Sequence, residues 1–412
     1  MRADARSLPS RPSPFAGLWI SVAASAFARS AIQLALSWIT LEITGSLFLV
    51  GVVAAVRMAP QMPLGIPAGI VADWFDRRWL VVGVSAASAA VTLSVVALAA
   101  SRLLIFPIIL IAAVALGLLD TLRTTATQAY AYDLVRVSHT ARGLAFVNLG
   151  SQLLGAVGGL VGGYTLSVYG GATAFLVVAI VLALGALAPT LAVGGAASEA
   201  LDPGAVRRLT GGPRRERPAF ATASTLLLRN RLAAMLVLTI ILTEILGFSS
   251  LTILPKFARD VFDVGAAGLG TMTAARSFGG VLSLLLLARF GASDRSGAVL
   301  LTAAGVLGLA LLAFAATPRY ELALAWLVLV GAACAVLDTL SQMLLQQSVR
   351  ERERGAAMGL WVFSVGFAPP GHLALGALAD TIGAPLTQAL FGGSLAAVAA
   401  LLALYAPLRR LR

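Results

Sequence analysis

Seven charged residues stand in stretches that are otherwise apolar: Arg29, Arg57, Asp120, Arg123, Glu244, Arg276 and Asp338. In hydrocarbon each costs roughly 2.5–3.5 kcal/mol on insertion scales, so such groups are retained for ion pairing, ligand binding or proton handling. Arg57, Asp120, Arg276 and Asp338 lie near the middle of their stretches and form matched sets. Leu119-Asp120-Thr121-Leu122 recurs 218 residues later as Leu337-Asp338-Thr339-Leu340, and Arg57 recurs 219 residues later as Arg276. Arg142-Gly143 recurs as Arg354-Gly355 after a shorter loop. Depth and repeat together predict the ion pairs Arg57–Asp120 and Arg276–Asp338, one per half, each able to lock its half without titrating.

Glu244, in Leu242-Thr243-Glu244-Ile245-Leu246-Gly247, has no basic residue on its own helical face. A buried carboxylate without a partner favours its neutral acid, and water or a cation restores the anion. That exchange is what a proton-coupling group needs; the alternative is a pair with Arg29 or Arg276. Asp120 and Asp338 are the other carboxylates to weigh for coupling. Arg123 lies one helical turn after Asp120, so it can pair with it in place of Arg57. If Arg29 and Arg123 face a cavity, they favour an anionic or zwitterionic ligand over a lipophilic cation. His372 follows Pro369-Pro370-Gly371; an imidazole titrates near neutrality, although a lone buried His is more often structural. Trp38, Trp326 and Trp361 read first as packing or interface residues.

The elements that position these groups follow from composition. The chain has 412 residues, 59% hydrophobic and 12% charged, with a mean hydropathy of +0.92. Soluble domains carry about 25% charged residues, which excludes that class. Long non-alternating runs of Ala, Leu, Val and Gly predict helices rather than the short alternating strands of a barrel. Twelve spans are predicted, near 15–42, 47–72, 79–100, 104–130, 143–167, 171–191, 232–255, 268–289, 297–317, 322–346, 356–379 and 388–407. The expected architecture is all-α, two pseudo-symmetric six-helix bundles at 15–191 and 232–407, joined by a polar cytoplasmic linker at 192–231. Tails at 1–14 and 408–412 complete it, and the first span is too long for a cleaved signal peptide. Parallel halves of this kind are a transporter architecture.

Of the thirty Lys and Arg, 22 fall on one side of the alternating spans, 4 on the other and 4 inside. Positive residues stay cytoplasmic, so both termini are expected inside. The net charge of +12 is thus a topology signal and not a nucleic-acid footprint. One Cys and two His leave no disulfide framework and little for a metal site. The chain carries no Walker loop, no His-Glu-x-x-His and no Gly-x-Ser-x-Gly. Neither an ATPase nor a hydrolase is expected, no cofactor is implied, and energy must come from an ion gradient or the substrate's own.

Between spans 2 and 3 stands Gly69-Ile70-Val71-Ala72-Asp73-Trp74-Phe75-Asp76-Arg77-Arg78. It resembles the loop 2–3 signature of the major facilitator superfamily, Gly-x-x-x-Asp-Arg-x-Gly-Arg-Arg, with Trp74 and Asp76 departing from it. The Asp-x-x-Asp-Arg-Arg form is similar to a branch holding enterobactin exporters and macrolide-efflux-type permeases. Leu41-Glu42-Ile43-Thr44-Gly45-Ser46, Arg57-Met58-Ala59-Pro60, Leu254-Pro255-Lys256-Phe257-Ala258 and Gly376-Ala377-Leu378-Ala379-Asp380 carry the same likeness. The resemblance implies that Asp73 sits against the start of span 11, where a helix dipole favours an anion. Arg77 and Arg78 would then pair with carboxylates across the gap, or serve as positive-inside anchors.

In span 5, Gly158-Gly159-Leu160-Val161-Gly162-Gly163 resembles the Gly-Pro-x-x-Gly-Gly core of the antiporter signature. Gly159 replaces the Pro, so its fixed kink is missing, and close helix packing is an equal reading of the motif. What the resemblance implies is a multi-pass protein of a bacterial-type inner membrane that binds a small molecule, with a monomer sufficient. Proton-coupled export of a drug, siderophore or secondary metabolite is the leading expectation. A metabolite importer or facilitator, and a transport-inactive scaffold or sensor, are the alternatives.

Overall fold

The computed structural model describes residues 14–64, 75–134, 140–191, 227–290, 295–350 and 353–409. Among these, eleven helices are long and apolar enough to cross a membrane. One of them, Thr140–Leu191, has 52 residues and at 1.5 Å per residue would run about 78 Å, far beyond the ~30 Å hydrocarbon core. It contains Gly170 at φ 82°, ψ 177°, a left-handed position that glycine adopts without a Cβ clash. The chain turns back there, separating spans 5 and 6. The crossings therefore number twelve.

Span 1 is Pro14–Thr44 and span 2 begins with Leu47–Met58. Spans 3 and 4 are Arg77–Ala100 and Phe106–Leu134. In the second half, span 7 opens with Arg231–Leu246 and continues to Val261 through a 3-10 turn and a π turn. Spans 8, 9 and 10 are Gly265–Phe290, Ser296–Ala316 and Tyr320–Gln347. Span 11 is split into Arg354–Val365 and Ala368–Ile382. The break falls just before Pro369-Pro370, whose missing N–H groups cannot continue a helical ladder but suit a first turn. Span 12 is Ala384–Ala403.

The two halves use a similar crossing, with its glycine shifted by one helical turn: Gly117 and Gly331 are 214 positions apart, against 218 for Asp120 and Asp338. A Cβ on Gly117 of span 4 would lie 2.9 Å from the Arg57 carbonyl carbon of span 2. A Cβ on Gly331 of span 10 would lie 2.6 Å from the Arg276 carbonyl carbon of span 8. Both distances are impossible for a real side chain, so each half needs a glycine where its intramembrane arginine crosses the neighbouring helix. Small residues of this kind let membrane helices pack backbone to backbone.

The halves also meet each other. Gly158 and Gly162 of span 5 face Phe27 and Ala31 of span 1, within the first half. Gly159 and Gly163 face the other way: a Cβ on Gly159 would sit 3.1 Å from Thr273, and one on Gly163 would sit 2.7 Å from Gly270, both on span 8. One buried apolar cluster joins the halves at the same end, from Leu34 and Leu41 to Ile253, Phe257 and Leu375. A second cluster, built on Leu236, Leu307 and Leu344, belongs to the second half alone.

At that end Asp380, the last acidic residue of span 11, takes the start of span 2. It accepts from Ser46 Oγ at 2.6 Å, Leu47 N at 2.8 Å and Phe48 N at 3.0 Å. A carboxylate at a helix N-terminus satisfies donors that lack intrahelical partners and opposes the helix dipole. Nearby, Arg259 Nη1 donates to the Leu41 carbonyl of span 1 at 3.2 Å. The opposite end has ties of a different kind. Arg78 Nη2 donates to the Thr190 carbonyl of span 6 at 3.1 Å, and Asn230 Nδ2 donates to the Ser348 carbonyl of span 10 at 2.8 Å. Each of those two stays within its own half.

Candidate functional site

Two charge clusters occupy the middle of the molecule, one in each half. In the first, Asp120 of span 4 is held by two arginines. Arg123, one turn along the same helix, makes a short hydrogen-bonded ion pair with it, and Arg29 of span 1 approaches with Nε 3.6 Å from Oδ2. Arg57 does not join them. Its Nη1 donates to Gln33 Oε1 at 2.5 Å, and its Nε is buried without a partner. The expected Arg57–Asp120 pair is thus replaced by Arg123–Asp120 and Arg29–Asp120. The cause is local: Arg123 needs no reach between helices, whereas Arg57 directs its guanidinium to Gln33 of span 1.

Arg29 has a distinctive setting. Between Ser21 and Leu41 it is the sole exposed residue of span 1, with its side chain 51% accessible. A helix enclosed by protein along that length has no lipid-facing side there, so the opening beside Arg29 is internal. Arg57 and Arg123 are buried behind it.

The second cluster is Glu244 of span 7, Arg276 of span 8 and Asp338 of span 10. Glu244 is 5% exposed and, among the described residues, has no ion pair or side-chain hydrogen bond. Neither predicted partner reaches it, so the pairing of Glu244 with Arg29 or Arg276 is absent. The Arg276–Asp338 pair is absent too. Arg276 Nη2 lies 3.5 Å from Cys334 Sγ, one turn before Asp338, and its Nε is buried without a partner. Asp338 is exposed nine residues past Leu329, half a turn round from that outward-facing side. It too opens inward.

Glu244 and Asp338 line one cavity of about 10 Å³, room for a single water. Thr239, Thr243, Ser341 and Trp361 complete its polar wall. The three hydroxyls donate to backbone carbonyls: Thr239 to Met235 at 2.7 Å, Thr243 to Ile240 at 2.8 Å and Ser341 to Asp338 at 3.1 Å. Their single protons are committed, leaving lone pairs toward the cavity. Trp361 Nε1, buried without a partner, is the one uncommitted donor on this wall among the described residues, and two carboxylates beside three hydroxyl acceptors repel a bare anion and attract a proton or a cation. The broken continuation of span 7 starts at Phe248, four residues beyond Glu244.

His372 is 3% exposed, with Nδ1 2.6 Å from Thr252 Oγ1 of span 7. It lies outside both clusters, beside the Asp380 end. In the loop between spans 2 and 3, Gly69 and Asp73 fall outside the described residues. Asp76 caps span 3, accepting from Arg78 N at 2.9 Å and Trp79 N at 3.2 Å. Arg78, expected to reach a carboxylate across the gap, instead holds Thr190 in its own half and lies 5.7 Å from the Trp79 ring.

Sequence reasoning missed Gln33, Ser341, the cavity hydroxyls and the role of Asp380. Ser341 had a usable signal: at the repeat spacing it occupies the position of Arg123. Asp380 stood within a quoted stretch, but nothing in its spacing announced a cap on a helix more than 330 residues away.

Comparison with known proteins bears on the same architecture. Residues 18–269 match the family profile described as Major Facilitator Superfamily. A staphyloferrin A transporter of Staphylococcus aureus is 23% identical over 363 residues, covering 87% of this chain and 88% of that protein. Among solved structures, a bacterial homologue of the human lysosomal transporter Spinster, inward-facing and unoccupied, superposes with a TM-score of 0.66. It has 17% identity and covers 97% of this chain and 96% of that one. The nucleoside transporter NupG gives a TM-score of 0.69 at 14% identity, covering 95% and 99%.

Proposed function

The chain belongs to the major facilitator superfamily, so it is a multi-pass membrane transporter and not an enzyme, and from that premise we propose that it exports a small organic molecule in exchange for protons. Drugs, siderophores and secondary metabolites are the candidate substrates. The likeness of the loop 2–3 stretch to enterobactin exporters and macrolide-efflux-type permeases supports export, and the distantly related staphyloferrin A transporter supports a siderophore among the candidate substrates. The proposed setting is the cytoplasmic membrane with both termini inside, following the distribution of Lys and Arg.

The observation that carries the coupling reading is Glu244. A carboxylate without an ion pair, next to Asp338 in a cavity of one water, can hold a proton while the site is closed and release it when the site opens. Asp120, which is paired twice, is a poorer candidate. His372, already bonded to Thr252, sits away from the clusters. Rocking of the two halves would expose the centre to each side in turn. In the described arrangement the Asp380 end is tied shut across the halves, which supports a resting state open toward the loop 2–3 end.

The test is accumulation of a panel of drugs, dyes and siderophores in cells stripped of their own efflux pumps. Wild type, Glu244→Gln and Asp73→Asn are compared at matched expression, with and without a protonophore. Lower accumulation in wild type, abolished by the protonophore and by Glu244→Gln, is the expected result. Higher accumulation would make the protein an importer. Reduced accumulation that survives both the protonophore and Glu244→Gln would remove proton coupling.

A further inference from the structure

The first half places three buried or inward-facing guanidiniums in its interior against one carboxylate. Arg29 of span 1 and Arg123 of span 4 pair with Asp120, and Arg57 of span 2, bonded to Gln33 of span 1, has no acidic partner of its own. A structural lock would need one arginine per aspartate; here a surplus of two positive charges remains inside the membrane. We propose that this cluster is the substrate's anchoring site and that the transported molecule is a small organic dianion. The proposal rests on the transport reading above and names its substrate class.

The donor count points the same way. Each guanidinium offers five N–H donors in a planar fork, while the acceptors recorded there are the two Asp120 oxygens and Gln33 Oε1. The buried Arg57 Nε is left with no partner at all. A forked donor array of this kind matches carboxylate and phosphate groups, which accept in bidentate fashion. Access comes through Arg29, whose exposed side chain opens on the interior of an otherwise enclosed helix. Asp120, with 15% of its side chain accessible, is then a resident anion that occupies the forks until substrate displaces or joins it. The second half lacks the surplus because Ser341 stands where Arg123 would be repeated.

The experiment uses the full chain in lipid nanodiscs and reads the shift of the thermal midpoint at fixed ionic strength. The probes are succinate, citrate and glycerol 3-phosphate, against neutral succinamide and the cation tetraphenylphosphonium. At least one oxyanion is expected to raise the midpoint, with the carboxylate and phosphate arms deciding which group is preferred. Arg29→Gln, at an exposed position, should fold and lose the shift. Asp120→Asn should tighten anion binding by about tenfold, equivalent to ~1.4 kcal/mol, because it removes the competing carboxylate.

The proposal is overturned if no oxyanion shifts the midpoint, if the shift survives Arg29→Gln, or if Asp120→Asn weakens binding. The last outcome would mark Asp120 and its arginines as a lock. Binding is read without flux, so a failed proton-coupling test leaves this result intact. Conversely, flux of a neutral or cationic compound with no anion shift sinks only the substrate class.

Discussion

The two halves share a skeleton and differ in charge. Each crosses an arginine over a glycine, Arg57 on Gly117 and Arg276 on Gly331, and each carries the Leu-Asp-Thr-Leu repeat on its fourth helix. The first half then adds Arg29 and Arg123 around Asp120. In the second half, span 7 carries Glu244 and the repeat carries Ser341, around Asp338. One duplicated frame thus presents a cationic cluster with a paired aspartate and an acidic cluster with unpaired carboxylates. The difference lies in a few side chains, and it separates a surface with surplus cations from one with surplus carboxylates.

The sharpest way to break that contrast is Glu244→Gln. On the proposed reading it abolishes uphill flux in proteoliposomes with an imposed pH gradient, while substrate counterflow without a gradient survives. Loss of both would make Glu244 a substrate or structural residue. Ser341→Arg carries the first half's charge into the second and supplies Asp338 with the partner it lacks. Gradient-driven flux should fall by about tenfold, or ~1.4 kcal/mol; unchanged flux would show that the acidic character of the second cluster is incidental.

The shared skeleton can be tested with Gly117→Val and Gly331→Val. Overpacking costs about 1–3 kcal/mol, and both should lower the thermal midpoint by similar amounts. A large drop in one and none in the other would mean that the repeat has diverged in packing as well as charge. Asp380→Ala removes a charged acceptor whose hydrogen bonds are worth about 1.5–3 kcal/mol each. Spin labels at Ile43 and Ile382 should then report a longer or broader distance at that end. Smallest is Asp76→Ala, which deletes the cap of span 3 at about 1 kcal/mol and should lower the midpoint slightly with flux unchanged.

Much of this was legible from residue order. Hydropathy fixed twelve crossings, and the spacing between Asp120 and Asp338 exposed the duplication. The choice of partners was not legible. Depth placed Arg57 and Asp120 at the same level, but whether they meet depends on how each helix is rotated, and Arg123 already lay one turn from Asp120 on the same face. Span 7 read as a single helix, yet it loosens into 3-10 and π turns beyond Glu244, with no proline before Pro255 to announce it. The Asp380 cap joins residues 334 apart, a contact that only tertiary packing creates.

Gly159 and Gly163 leave spans 5 and 8 touching almost along bare backbone. A transporter that trades one face for the other risks a short circuit, because a continuous water thread between compartments would dissipate the gradient that drives it. A seam of glycine backbone against Thr273, Ala266 and Gly270 has few rotamers to rearrange and little room for water as the halves move. On the proposed reading, such close packing keeps water from joining the two compartments, so that the gradient is spent on cargo and not on leak.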